Sequence, residues 1–293
     1  MDEPNVLGFI GLGVMGSGMC ANLVAKSGHP VVAYDPVAAN LDAAVAAGAR
    51  SGTDVADVAR RADTVFLSLP SIDEVESVCI QLVAREARPR RIVDMSTSDV
   101  TRTRALAFAL AKQDVVFFDA PVARMRQAAR EGTLLIMVGA SGAQFEELEP
   151  LLSCMGTDVV AAGKVGNGQV IKVLNNMVLF VTMNSLAEAM TIGRRAGVDG
   201  RLLFETLALG SADSAALRKT GMATLVPDDF PEQAFPTKYA IKDLRLALSL
   251  ADAEKVEASA ASQTMDILAR TRDAGLSDAY YPAMIKVIDG RVG

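Results

Sequence analysis

The sequence predicts two domains, an α/β domain over residues 1–164 and an all-α domain over residues 165–293. Three observations predict this division. Strand-like and helix-like segments alternate through the first half of the chain, a glycine-rich turn joins the first strand to the first helix, and only helical periodicity continues from Gln169 onward. The first half should therefore form a doubly wound parallel sheet.

The first segments have the order of a dinucleotide-binding βαβ unit. The apolar run Val6 to Ile10 leads into GLGVMG, a helical segment follows, and a second strand runs from Val31 to Asp35. Gly11 allows the tight turn, Gly13 lets the backbone approach a pyrophosphate, and Gly16 lets the helix pack on the strand. A lone GxGxxG is often only a tight turn, but the complete context predicts a Rossmann-type nucleotide site.

Asp35 indicates which dinucleotide binds. It follows Gly11 by 24 residues, close to the spacing of the acid that binds the adenosine ribose hydroxyls. Its charge would repel a 2′-phosphate, and neither Pro36 nor Val37 supplies a cation. NAD is therefore favoured over NADP. The alternative is that Asp35 caps a following helix at Leu41 to Ala47.

The remaining strands of the first half place further candidates at one edge of the sheet. Ligands of such sheets bind outside the carboxyl ends of the strands, which here carry Leu69 with Pro70, Ser96 with Thr97, and Asp119 with Pro121. Ser141 and Gln144 have the spacing of a helix capping box. The predicted strands are Thr64–Leu69, Arg91–Met95, Val115–Asp119, Leu134–Gly139 and Asp158–Ala161, and the predicted helices between them cover Asp73–Arg85 and Asp99–Ala111.

The second half opens with a helix predicted to be long and mostly buried, within Gly166 to Arg195. Lys172 and Asn176 lie four residues apart on one face of it, with Asn175 beside them. An ammonium among apolar neighbours is costly to keep charged, so Lys172 is a candidate general acid or base. The alternative is a Lys that reaches water and two structural Asn. The later predicted helices are Arg201–Ala208, Thr237–Ala253, Ala258–Ala274 and Ala283–Asp289, with a loop at Leu225–Pro236.

Composition excludes several classes of protein. The net charge of -6 argues against a nucleic-acid surface, and the N-terminus lacks the order of a signal peptide. The most apolar window, Met177 to Met183, is too short to span a bilayer, so we expect a cytoplasmic protein without a membrane partner. His29 is the only histidine, which argues against a metal site or a His-based triad. The scattered residues Cys20, Cys79 and Cys154 should be reduced core thiols.

The motifs FIGLGVMGSGMCANL, LSLP, DMST, DAPV, GTL, KVLNN and KDL follow one another along the chain. With these motifs in order, the chain resembles the β-hydroxyacid dehydrogenases, which include 3-hydroxyisobutyrate dehydrogenase. The resemblance implies a fold like that of 6-phosphogluconate dehydrogenase, Lys172 as the catalytic group, and substrate contacts by Asn176 and the adjacent Asn175. It also implies an NAD contact at Lys242, at the residues of the glycine turn, and at the sheet edge. The implied cofactor residues are Gly11, Gly13, Val14, Met15, Gly16, Asp35, Leu69, Pro70, Thr97 and Lys242.

The reaction implied is reversible hydride transfer between a small anionic 3-hydroxy acid, or its semialdehyde or keto form, and NAD. One motif departs from the family: DAPVSGG is replaced by DAPVARM, which puts Ala123 and Arg124 where a Ser and a Gly usually stand. A guanidinium suits a carboxylate or a larger oxyanion. The loop is similar to that of sulfolactaldehyde reductase, a family member with an Arg there; a 3-hydroxy amino acid such as D-threonine is another candidate substrate. A surface ion pair is the alternative role for Arg124.

Two other functions compete with this interpretation. Imine reductases have a related architecture but usually lack a Lys at the position of Lys172. A nucleotide-binding protein without chemistry is the second, and the presence of Lys172, Asn176 and the glycines argues against it. The resemblance and the apolar long helix also predict a homodimer or homotetramer.

Overall fold

The computed structural model describes residues 5–84, 88–232 and 234–292. Arg85, the predicted end of one helix, lies outside them. The described strands are β1 Leu7–Ile10, β2 Val31–Tyr34, β3 Arg50–Ser51, β4 Thr64–Leu67, β5 Arg91–Asp94, β6 Val116–Asp119, β7 Val122–Ala123, β8 Leu134–Val138 and β9 Gly156–Ala161. The described α-helices are α1 Gly16–Lys26, α2 Ala38–Ala46, α3 Val55–Arg61, α4 Ile72–Val83, α5 Val100–Ala111, α6 Arg126–Glu131, α7 Ala143–Leu152, α8 Asn167–Arg195, α9 Gly200–Leu207, α10 Met222–Thr224, α11 Thr237–Ala253, α12 Ser259–Thr271 and α13 Ile285–Ile288.

The chain divides into two compact units, Met1–Lys172 and Val173–Gly293. The division lies inside α8, later than the predicted boundary at residue 164. The start of α8 is joined to the first unit by Asp119, at the end of β6, which accepts the N–H groups of Gln169 in the first turn and of Gly166 just before it.

The first unit contains the predicted parallel sheet. Its six strands have the order β3-β2-β1-β4-β5-β6, and every neighbouring pair is parallel. Apolar side chains alternate between two separate cores: Phe9 and Phe66 belong to one, and Ile10 and Leu67 to the other. This is the pattern of a sheet covered on both faces, which confirms the predicted fold class for these strands.

The prediction that the strand at Leu134–Gly139 continues this sheet is wrong. β8 instead forms a second sheet of the order β7-β8-β9, in which β7 runs antiparallel and β9 parallel to β8. Ala120 still donates its N–H to the Asp94 carbonyl, but Pro121 has no N–H with which to extend the pairing of β6. The chain therefore leaves the six-stranded sheet after β6. The next strand, β7, begins the three-stranded sheet, and its two residues are too few for periodicity to reveal it.

The described part of the second unit contains helices and one isolated bridge between Pro236 and Tyr280. Aromatic side chains contribute to its core, where the rings of Phe180 and Tyr281 meet edge to face at 5.0 Å between centroids. The bounds of α11 match the prediction. The last predicted helix is wrong at its start, since a 3-10 turn over Tyr281–Met284 precedes α13.

The prediction that α8 is mostly buried is wrong for the single chain. In its most apolar 18-residue window, 33% of the residues are buried, and Ile171, Leu174, Val178 and Ile192 are exposed. Apolar residues surround the helix, but only one stripe of them packs into a core. By length and a mean hydropathy of 1.4, α8 could also cross a membrane, which is weak evidence because core helices of soluble proteins have the same properties.

The predicted capping box at Ser141 is also wrong. α7 begins at Ala143, and Gly142 is its N-cap residue with a φ of 56°. Ser141 therefore lies one position before the cap, and the N-cap residue itself makes no side-chain capping hydrogen bond.

Candidate active site

The glycine turn between β1 and α1 has the shape that a pyrophosphate requires. Gly11 has a φ of +91°, and a Cβ there would collide with the Ser68 carbonyl oxygen; a Cβ on Gly16 would collide with the Gly11 carbonyl oxygen. At Gly13 a Cβ would have no atom within 4 Å, so the backbone faces open space. Val14 is exposed and Met15 is half-buried beside it. The turn is closed on the protein side and open where phosphates would bind to the N-terminus of α1.

Asp35 lies directly after β2, and its carboxylate accepts three hydrogen bonds. One oxygen accepts the Leu12 N–H at 2.6 Å, and the other accepts the Val37 N–H at 2.8 Å and the Asn40 amide at 3.2 Å. A carboxylate has about four acceptor positions, so one is left for a ribose hydroxyl. The predicted helix begins at Ala38 with Val37 as N-cap, so Asp35 is not its N-cap residue.

The loops after β4 and β5 are joined by hydrogen bonds. The Leu69 N–H donates to the Ser96 hydroxyl at 2.9 Å, and Asp94 accepts the Ser96 N–H at 2.9 Å and the Ser98 hydroxyl at 3.1 Å. Thr97 lies between the two serines and is half-buried, and Pro70 is exposed. The structure thus brings together the predicted cofactor residues of these two loops.

Asp119 holds the start of α8. Its two carboxylate oxygens accept the N–H groups of Gly166 at 2.7 Å and Gln169 at 2.8 Å. A Cβ at Gly139 or Gly168 would collide with this carboxylate. Burial raises the pKa of Asp119, and the backbone N–H groups oppose that shift.

The Gln169 side chain connects α8 to the loop that carries Thr97. Its amide nitrogen donates to the Ser96 carbonyl at 2.8 Å, and its amide oxygen accepts the Ser98 N–H at 3.0 Å. Gln169 is fully buried, and Lys172, three residues on, is 9% exposed. Sequence reasoning missed the roles of Asp119 and Gln169; their only signals were a strand-end acid and a Gln just before Lys172.

In the second unit, hydrogen bonds orient the Asn176 amide. Its nitrogen donates to Asp243 at 2.7 Å, and its oxygen accepts the Asn175 amide at 3.1 Å. The Lys242 ammonium lies 3.3 Å from the other Asp243 oxygen. Sequence reasoning missed Asp243, although it stands within the KDL motif.

Arg124 is bound on the side of the small sheet. Its guanidinium donates to the Thr133 carbonyl at 2.5 Å, to the Thr157 hydroxyl at 3.0 Å and to Asp158 at 2.6 Å. The partner of this surface ion pair is Asp158 on β9. Its φ of 82° is one that glycine adopts without strain. Ala123 is buried in β7.

All three cysteines are buried and unpaired, and burial raises the pKa of Cys20 to about 12. Among the described residues, the acidic, histidine and cysteine side chains form no group that could hold a metal ion.

Two family models match the chain. Residues 6–163 match the NAD binding domain of 6-phosphogluconate dehydrogenase, and residues 166–288 match the NAD-binding region of NADP-dependent 3-hydroxyisobutyrate dehydrogenase. The chain is 34% identical to the 2-(hydroxymethyl)glutarate dehydrogenase of Eubacterium barkeri, over 100% of this chain and 98% of the relative. It is also 34% identical to the NAD-dependent L-serine dehydrogenase of Pseudomonas aeruginosa, over 90% and 89% of the two chains.

A solved structure extends the likeness to three dimensions. The 3-hydroxyisobutyrate dehydrogenase of Mycobacterium tuberculosis, solved with L-serine, gives a TM-score of 0.89 at 28% identity and covers 98% of this chain and 99% of its own. The fold and the glycine turn thus define a nicotinamide-dinucleotide-binding oxidoreductase. Within that class, the chain belongs to the β-hydroxyacid dehydrogenase family.

Imine reductases share the fold alone. One from Myxococcus stipitatus gives a TM-score of 0.64 at 14% identity, covering 98% of this chain and 99% of its own.

The buried Asp94 makes the stability of the first unit depend on pH. Burial raises the pKa of Asp94 to about 6, the hydrogen bonds from Ser96 and Ser98 oppose the shift, and the charge of Asp119 adds to it. Because the pKa is raised in the folded state, the folded protein favours the protonated Asp94 carboxyl. The free energy of unfolding is therefore highest below the unfolded pKa of about 4, and it falls as the pH rises through about 6.

We therefore expect Asp94→Asn to gain stability relative to the parent as the pH rises from 4 to 7, by on the order of 2–3 kcal/mol. An Asn still accepts the Ser96 N–H, so the loop is retained. Urea unfolding at several pH values measures the difference, and Asp266→Asn, an exposed site, corrects for the loss of one negative charge. Parallel stability curves for Asp94→Asn and the parent would contradict the assignment.

Proposed function

We propose that the protein is an NAD-dependent dehydrogenase that transfers a hydride reversibly between a small 3-hydroxy acid and NAD, with Lys172 as the general acid and base. The observation that carries the proposal is the buried Lys172 on α8, whose first turn is hydrogen-bonded to the loop that holds Thr97. Membership of a family that includes named dehydrogenases of hydroxy acids supports it.

The cofactor supplies the hydride acceptor for oxidation and the donor for reduction. In oxidation, the neutral Lys172 amine takes the proton of the substrate hydroxyl; in reduction, its ammonium returns a proton to the carbonyl oxygen. Asn176, held by Asp243 and Asn175, would orient that oxygen. Lys242 would contact the cofactor.

The choice of NAD rests on Asp35. Its remaining acceptor position suits a ribose hydroxyl, and its charge opposes a 2′-phosphate. The family model of the second half is described by an NADP-dependent enzyme, whereas the relative from Pseudomonas is NAD-dependent, so the family alone does not decide.

The names of the relatives support one class of substrate. 2-(Hydroxymethyl)glutarate, 3-hydroxyisobutyrate and L-serine each carry a hydroxymethyl group on the carbon next to a carboxylate. We propose a substrate of that class for this chain, with its carboxylate bound near Ala123 and Arg124. A sulfonated C3 substrate is the second candidate, because a guanidinium also binds sulfonate.

Cytoplasmic location and assembly as a homodimer or homotetramer stay predictions from the sequence.

Lys172→Ala should abolish turnover because it removes the group that exchanges a proton with the substrate, while NADH binding stays within about threefold of the parent. Steady-state assays with NAD and L-serine, 3-hydroxyisobutyrate, D-threonine, glycerate or dihydroxypropanesulfonate measure turnover, and fluorescence titration measures NADH binding. Lys164→Ala removes an exposed Lys close by and should keep full activity. Turnover by Lys172→Ala at the parental rate would contradict the proposal.

Asp35→Asn should lower the preference for NAD over NADP, expressed as the ratio of kcat/KM values, by about tenfold or more because the repulsion of a 2′-phosphate is lost. Asp42→Asn removes the same charge from an exposed position on the adjacent helix α2 and should leave the ratio unchanged. An unchanged ratio in Asp35→Asn would remove Asp35 from the selection of the cofactor.

Arg124 and Asp158 give a matched pair of variants. An exposed ion pair is worth at most about 1 kcal/mol, so a substrate anion can displace Asp158 at little cost. If Arg124 binds that anion, Arg124→Ala should raise KM for the substrate about tenfold or more at similar kcat, while Asp158→Ala frees the guanidinium and leaves KM equal or lower. Equal effects of the two variants would show that Arg124 only anchors its loop.

A further inference from the structure

We propose that Gln169 is a positioning residue that sets the place of the Lys172 amine relative to the cofactor loop at Thr97. The inference rests on the proposed function, since it concerns the alignment of the proposed acid and base. It extends that function to a residue that makes no proposed contact with substrate or cofactor.

The Gln169 amide binds the backbone on both sides of one residue. It donates to the carbonyl of Ser96 and accepts from the N–H of Ser98, at 2.8 and 3.0 Å, so Thr97 is held between the two contacts. Both partners are main-chain atoms, and the side chain is fully buried. The amide therefore fixes the path of the loop without depending on the side chains of Ser96 or Ser98.

The same residue is fixed on α8 by its own backbone. The Gln169 N–H donates to Asp119 at 2.8 Å, and the N–H of Gly166, three residues earlier, donates to the other carboxylate oxygen at 2.7 Å. The first turn of the helix thus cannot rotate without breaking two hydrogen bonds to a buried carboxylate, which is costly.

Lys172 follows Gln169 by three residues, which places the two side chains on the same face, about 4.5 Å apart along the helix axis. A rigid helix transmits the position of Gln169 to Lys172, so the amine and the Thr97 loop move together. Displacement of a reacting group by about 1 Å can cost about a hundredfold in rate, which makes such a link valuable for proton and hydride transfer.

A buried amide that bonds two main-chain groups also stabilises the fold, so stability must be separated from positioning. Gln169→Met keeps the volume and removes both hydrogen bonds. Gln169→Glu keeps an acceptor for Ser98 and removes the donor to Ser96, and it serves if the first variant does not fold. Leu82→Ala is the matched control, because it leaves a cavity where the buried side chain of α4 packs, away from the described contacts of Gln169. The expected loss in the free energy of unfolding is about 2–5 kcal/mol.

The experiment measures kcat and KM with NAD and the best substrate of the panel, the Kd for NADH, the melting temperature, and the primary deuterium isotope effect on kcat with substrate labelled at the carbinol carbon. We expect Gln169→Met to lower kcat about tenfold to a hundredfold and to raise the isotope effect, because a misaligned Lys172 makes the chemical step limiting. The Kd for NADH should change less than about threefold. Leu82→Ala should melt earlier yet keep kcat and the isotope effect.

A parental kcat in Gln169→Met overturns the inference and leaves the proposed function intact. A loss of NADH affinity that matches the loss of kcat also overturns it, because Gln169 would then act in cofactor binding. Failure of both Gln169 variants to fold overturns it as well, because the residue would then serve stability alone. If the parent itself binds NADH and turns over no hydroxy acid of the panel, the proposed function fails first, and the inference fails with it.

Discussion

The hydrogen bonds between the Asp119 carboxylate and the first turn of α8 are the constraint on which the candidate site depends. A helix start leaves backbone N–H groups without partners, and a buried carboxylate is costly without donors. Gly166 and Gln169 supply the donors, so each group satisfies the other, and the positive end of the helix dipole favours the charge. Gly139 and Gly168 are required because any side chain there would occupy the carboxylate's place.

From this contact, a buried polar network reaches the cofactor loops. Gln169 continues it to Ser96 and Ser98, and Asp94 anchors both serines from the end of β5. Polar groups in such surroundings stay ordered only when each has its partner, which makes the network rigid. The loop that carries Thr97 and the part of α8 up to Lys172 therefore belong to one hydrogen-bonded arrangement within the first unit.

The sequence was sufficient where local pattern decides structure. The turn from Gly11 to Gly16 and the strand that ends at Asp35 predicted the βαβ unit, because glycine requirements and strand-end acids are local signals. The three-stranded sheet was missed because β7 has only two residues, and because Pro121 ends the pairing of β6 through the lack of a backbone N–H. Gln169 and Asp243 were missed as site residues, and Asp119 was predicted at the sheet edge without its contact to α8, for a different reason. Their partners lie far away in the chain, and no periodicity records a hydrogen bond between distant segments. The burial of α8 was overestimated because its apolar residues do not show by themselves which face packs into a core.

A crystal structure of the protein with NADH and a substrate of the proposed class would test the central claim most directly. The account predicts that the Lys172 amine lies within about 3 Å of the substrate's reacting oxygen, while the carboxylate of Asp119 still accepts the N–H groups of Gly166 and Gln169. A ternary complex in which another side chain contacts that oxygen, and Lys172 points away from it, would contradict the account.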